Sequence, residues 1–391
     1  MWPCPRRSPL LRRRSLARRV HWVVLADRPR LKSALSILLT LLCALASCPV
    51  AASLAFYLVG NGITAGAGAL AGLLALLVVV ALRWIGRART SRVPSNGLVA
   101  GMIVALLGFG LFRLATVGSG APIVYCEDGR CLQRGPFLSM LIREDESARS
   151  GVAVAEALGA LFAREHDAPE LFAEKYRLLE VLRSGEPGVN ALLVPSSTAH
   201  LVRSIAYLPS GAGRTPGIVF LHGSGGSMST YVSTLLESDE LAQYAIIAPV
   251  VDAVGLWSTD EAMAVVERTV QTLPASVDRS RLYIVGLSNG AVGATAVASR
   301  PDVARLFRAA VAIEGIASAE TTGPTGPTIP LLALAARDDE RFELEYVRER
   351  VDAMRDANAP VELSVVDGTH MAFFANSGAF TTRISAWLKA H

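Results

Sequence analysis

Arg281-Leu282-Tyr283-Ile284-Val285-Gly286-Leu287-Ser288-Asn289-Gly290-Ala291 decides how this chain is read. Five residues rich in branched and aromatic side chains predict a short buried strand. The small residues from Ala291 to Ala298 predict a helix packed close to a sheet. Between them, Gly286-Leu287-Ser288-Asn289-Gly290 fits a strand-to-helix turn that exposes a serine at the top of a sheet. Such a turn is sharp, so the residues flanking the serine must be small and tolerate a strained backbone. A serine opening a helix can also be an ordinary cap. The rest of the chain separates the two readings.

Three loops bear on it. His222-Gly223-Ser224-Gly225-Gly226 follows the apolar run Ile218-Val219-Phe220-Leu221. Its glycines let backbone N–H groups approach a ligand oxygen, and the N–H groups of Asn289, Gly223 and Ser224 are the candidate oxyanion hole. A phosphate cradle would want Lys followed by Ser or Thr after the glycines, and Ser227-Met228 does not supply it. Ala336-Arg337-Asp338-Asp339-Glu340 follows another apolar run. Asp339 is the first candidate for an acid that orients an imidazole, Asp338 the second, and Glu314 at the end of the 309–313 strand the third. Asp367-Gly368-Thr369-His370 follows the last expected strand, which makes His370 the candidate general base. The order Ser, Asp, His, each after a strand, favours a nucleophile at Ser288 over a capping serine.

Strands are expected at 189–194, 201–208, 217–221, 244–249, 281–285, 309–313, 330–335 and 361–366. Helices are expected at 231–241, 259–272, 342–357 and 371–390. Their alternation predicts an α/β, doubly wound, mostly parallel sheet.

With these motifs the chain resembles the α/β-hydrolase superfamily over about residues 189–391. The pairing of GLSNG with HGSGG is similar to the secreted esterase and polyester-depolymerase branch, including feruloyl-esterase-like proteins. Ala291 and Ala336 depart from that branch, which carries glycine there. The resemblance implies acyl transfer from an ester through Ser288, His370 and Asp339, with no cofactor and no metal. Its alternatives are an acyltransferase or lipase acting on envelope lipid, and a non-catalytic scaffold. Trp257 is expected either in the substrate pocket or in the core.

The chain has 391 residues, 51% of them hydrophobic, with a mean hydropathy of +0.39. The excess lies before about residue 117. A net charge of +4 gives no nucleic-acid surface. Residues 1–32 form a basic arm with ten Arg or Lys against the single acid Asp27. Apolar stretches at 34–59, 63–82 and 98–117 each approach the length that spans a bilayer, so 33–117 is expected to hold three transmembrane helices. The arm and Arg83, Arg87, Arg89 and Arg92 place both basic segments on the cytoplasmic side and residue 118 onward outside. Leu45-Ala46-Ser47-Cys48 competes as a lipobox, and 51–52 as a secretory cleavage site. Cys126 and Cys131 are expected as a disulfide if that orientation holds and as free thiols if it is inverted. No Cys/His cluster has zinc spacing. Residues 118–185 are expected as a helical connecting region, a spacer or a cap, before a catalytic domain at 186–391. The expected partners are the membrane and a small-molecule or lipid ester.

Overall fold

In the computed structural model, the described residues are 123–391, apart from 133–134, 137–138, 140–141, 158–167, 184–188, 211–212, 253 and 324–325, with four isolated positions before them. The basic arm, Cys48 and, apart from those four positions, the three expected spans lie outside the described residues. Among the described residues no helix is long and apolar enough to cross a membrane.

The strands are β1 (Ile123–Glu127), β2 (Arg130–Leu132), β3 (Arg203–Tyr207), β4 (Thr215–Leu221), β5 (Ala245–Pro249), β6 (Val277–Leu287), β7 (Ala309–Ile313), β8 (Leu331–Ala336) and β9 (Val361–Val366). They form one sheet in the order β2-β1-β3-β5-β4-β6-β7-β8-β9. From β5 to β9 every pairing is parallel. The β2, β1 and β3 end is antiparallel. The sheet is thus a mostly parallel, doubly wound α/β sheet.

Side chains alternate between two cores. Ile218 and Phe220 of β4 enter one, Val219 and Leu221 the other. A strand buried on both faces must read as a continuous apolar run, and the Ala309–Ile313 stretch, with every residue buried, does so. The first face is covered by α1 (Glu144–Ala157), α2 (Ala168–Arg183), α3 (Ser229–Leu235), α9 (Ala372–Ala375) and α10 (Ser377–Ala390). The second is covered by α4 (Asp260–Gln271), α5 (Asn289–Ser299) and α8 (Leu344–Asp356), with the short α6 (Pro301–Ala304) and α7 (Ala319–Thr322) beside them. The small residues of α5 let it lie close. A Cβ added at Gly293 would stand 2.2 Å from Cβ of Trp257.

The structure corrects several expectations. Residues 118–185 are neither a spacer nor wholly helical. They supply β1 and β2 to the sheet and α1 and α2 to its first face, so residue 186 marks no boundary in the sheet. The expected strand at 189–194 is a 3-10 turn, Ala191–Leu193, because the Asn190 side chain accepts the Leu192 N–H and caps it. The expected helix at 231–241 ends at Leu235 and resumes as a 3-10 turn at Leu241–Gln243. The 371–390 helix is split at Asn376 into α9 and α10. The elbow strand is longer than expected, beginning at Val277.

β4 and β6 are neighbours, while β5 lies on the other side of β4. Chain direction across the sheet therefore reverses around β4, and a crevice forms outside the carboxyl ends of the strands at such a point. The loops after β4, β6, β8 and β9 all emerge on that edge.

Candidate active site

Ser288 sits between β6 and α5 with φ 56° and ψ −118°. A non-glycine residue held there costs of order 1–3 kcal/mol, which surrounding contacts must offset. They are visible. The Ser288 N–H donates to the Ile313 carbonyl at 2.8 Å, and its own carbonyl accepts from Ala291 and Val292. The flanking glycines are required by space. A Cβ on Gly286 would stand 1.9 Å from the Gly290 carbonyl oxygen, and one on Gly290 would stand 2.0 Å from that of Leu221.

His370 Nε2 lies 2.9 Å from Ser288 Oγ, and its Nδ1 lies 2.8 Å from Asp339 Oδ2. The carboxylate can only accept from Nδ1–H, which leaves Nε2 to accept the serine proton. The other oxygen of Asp339 accepts the N–H groups of Arg341 and Phe342, at 2.8 and 2.9 Å. Both side chains are nearly inaccessible, at 1% for Asp339 and 6% for His370. Phe342 stacks over the imidazole at 6.0 Å between centroids. Asp338 is exposed, and its N–H donates to the Gly368 carbonyl at 2.9 Å. That bond, with Arg337 Nε donating to Asp367 at 2.7 Å, ties the acid loop to the histidine loop. Glu314 is fully buried and accepts the N–H of Phe373 at 2.8 Å, anchoring the segment after His370. The structure therefore brings Ser288, His370 and Asp339 together, with Asp338 outside that line.

On the other side of Ser288 lies the glycine loop. A Cβ on Gly223 would be 3.2 Å from Cβ of Ser288, so the backbone there runs directly beside the nucleophile. Asn289 opens α5, and the first N–H groups of a helix have no partner within it. The Asn289 side chain donates to Ser224 Oγ at 2.8 Å and to the Val254 carbonyl at 2.7 Å. The three expected oxyanion-hole residues are thus adjacent.

His222 and Trp257 fix this loop. His222 is fully buried, and burial pushes its imidazole down to about 4, so the ring is neutral at ordinary pH. Nε2 accepts the Val251 N–H at 3.3 Å, and Nδ1–H donates to the Gly223 carbonyl at 2.8 Å. Trp257 donates Nε1–H to the His222 carbonyl at 2.8 Å and is 1% exposed. It is a core residue under the loop and not a pocket wall. Sequence reading missed the roles of His222, Glu314 and Phe342, whose partners lie 28 to 59 residues away in the chain. The one available signal was that His222 and Glu314 stand directly at strand ends.

No family model matches the chain, and no curated protein matches it. Among solved structures it is similar to a thermostable esterase, at 19% identity over 49% of this chain and 59% of that one, with a TM-score of 0.39. It is also similar to S-formylglutathione hydrolase from Staphylococcus aureus, at 17% identity over 48% and 90%, with a TM-score of 0.39. An esterase from Pyrococcus furiosus matches at 19% identity over 50% and 91%, with a TM-score of 0.39. The match spans less than two thirds of the thermostable esterase. At these TM-scores the likenesses decide nothing about chemistry, which the site itself must carry.

Proposed function

We propose that the protein is a serine hydrolase of the α/β-hydrolase type that cleaves carboxylic esters. The observation that carries this reading is the unbroken line from Ser288 Oγ through His370 to the buried Asp339. His370 Nε2 takes the proton as Ser288 Oγ attacks the ester carbonyl carbon. The oxyanion is held by the N–H groups of Asn289 and of the Gly223-Ser224 segment; a single donor of this kind is worth on the order of 10²–10³ in rate. Collapse breaks the bond to the alcohol oxygen, which leaves with the proton from His370. Water then attacks the acyl-enzyme, gives a proton to His370, and the acid departs as Ser288 is restored. Asp339 orients the imidazole and stabilises its charged form. The pairing of the HGSGG loop with the GLSNG elbow supports the feruloyl-esterase-like branch as the subfamily.

The direct test is hydrolysis of short p-nitrophenyl esters. Ser288→Ala should lower turnover by on the order of 10⁴ or more, because the three groups act as a unit. Retained turnover would sink the assignment.

We further propose that 33–117 spans the membrane three times and that the hydrolase portion works outside the cytoplasm. Two features support this: the basic residues on both segments assigned to the inner side, and the Cys126–Cys131 disulfide, the chemistry of an oxidising compartment. Alkaline phosphatase fused after His391 should be active in cells. An inactive phosphatase fusion, with a fluorescent protein fused at the same place bright in the cytoplasm, would invert the assignment.

A further inference from the structure

We infer that Val254 and Leu256 form the acyl-binding wall of the Ser288 site and select esters with apolar acyl chains. The inference rests on the serine-esterase reading above and names its substrate class. Val254 and Leu256 are large hydrophobic residues left 54% and 52% exposed. Scattered apolar exposure is ordinary. This pair is not scattered, because its backbone is built into the site. The Val254 carbonyl accepts from Asn289 Nδ2 at 2.7 Å and from Ser224 Oγ at 3.3 Å, so it is held by two residues of the candidate oxyanion hole.

The segment is also tied down by its own hydrogen bonds. Asp252 Oδ1 accepts the N–H groups of Val254 and Gly255, at 2.8 and 3.0 Å. Gly255 has φ 70°, and an added Cβ would stand 3.2 Å from the His222 carbonyl oxygen and 3.3 Å from that of Gly223. Trp257 is buried beneath and bonded to the His222 carbonyl. Two exposed apolar side chains therefore stand on backbone that is bonded to residues flanking the nucleophile. A second apolar element meets the same loop: an added Cβ on Gly226 would stand 3.1 Å from Leu192, and the adjoining Leu193 is 37% exposed.

Which part of the ester lies there follows from the proton route. The leaving alcohol must receive its proton from His370 Nε2, so it lies on the side of His370 and Phe342. Val254 is bonded to the opposite, oxyanion-binding side through Asn289 and Ser224. The acyl substituent is the group left to meet Val254 and Leu256.

The experiment varies the two halves of the ester separately in the full chain. One series holds p-nitrophenol constant and runs the acyl group from acetate to octanoate. The other holds acetate constant and lengthens the alcohol. In the wild type, kcat/KM should rise along the acyl series. A Val254→Ser, Leu256→Ser double variant should lose about tenfold or more in the octanoate-to-acetate ratio, since one methylene in contact with a site is worth about 10–200-fold. Leu256→Met should keep the ratio, and the alcohol series should keep its slope in every variant. An unchanged acyl ratio in the double variant, with ester turnover intact, would overturn this inference alone. A loss confined to the alcohol series would overturn it too. A wild type inactive on every ester would overturn the esterase reading, and the inference with it.

Discussion

Ser288 and Asp339 show what single positions contribute. The strained turn at Ser288 is held by the Ile313 carbonyl from a neighbouring strand, and the glycines around it are fixed by clashes near 2 Å. The need for small flanking residues was legible in GLSNG, because that restriction is local; the Ile313 contact, made by a neighbouring strand, was not. The sequence ranks Asp339 ahead of Asp338, but what fixes that choice is not visible there. It depends on how the loop after β8 turns, and Arg341 and Phe342 decide it by donating to Asp339. Asp339→Asn should lower kcat by on the order of 10⁴, since the wrong imidazole tautomer would face Ser288. Asp338→Asn should stay within about twofold, its exposed side chain being off the line. Steady-state kinetics on one short ester separates them, and the reverse ranking would hand the role to Asp338. The anchoring roles of His222 and Glu314 were not legible, because they consist of burial and hydrogen bonding to distant segments, which no local pattern encodes.

At the level of elements, the region before residue 186 supports the site from behind. Phe172 of α2 meets Phe374 of α9 at 5.1 Å between centroids, close behind His370. Glu144, at the start of α1, accepts from the Ala191 N–H, the Tyr176 hydroxyl and both the N–H and hydroxyl of Ser229. It therefore joins α1, α2, the 191–193 turn and the start of α3, three residues after the glycine loop. Helical stripes were legible there, but their attachment was not, because one buried carboxylate makes it. Burial pushes Glu144 up to about 7, against the pull of those donors. Its folded value lies above the ordinary 4.5, so between pH 4.5 and 7 the folded protein keeps a proton that the unfolded chain has lost. Stability from this group therefore falls as pH rises through that window. Glu144→Gln does not titrate. Its stability relative to wild type should rise by about 3 kcal/mol from pH 4.5 to 7, on denaturant melts. A difference that is flat or falls with pH would refute the ionisation cost.

Across the whole molecule, the parallel part of the sheet was read well because β5, β7 and β8 are continuous apolar runs buried throughout. At its antiparallel end β3 was expected at 201–208, while β1 and β2 were missed because they are short; their pairing is closed by Cys126–Cys131 across opposed positions of the hairpin. That bridge spans a sequence separation of 5, so chain-entropy reasoning gives it about 2 kcal/mol. It lies at the edge of the sheet, away from the loops after β4, β6, β8 and β9. Replacing both cysteines by serine should lower stability by about that amount and leave ester turnover unchanged. A fall in turnover without a fall in stability would contradict this placement. The proposed function requires that one serine of this chain be activated by one histidine. Treatment of the full protein with a fluorophosphonate, followed by peptide mass mapping, tests it most directly. The expected result is a single adduct on Ser288 that disappears in Ser288→Ala and forms far more slowly in His370→Ala. No adduct in the wild type, or one that persists in Ser288→Ala, would contradict it.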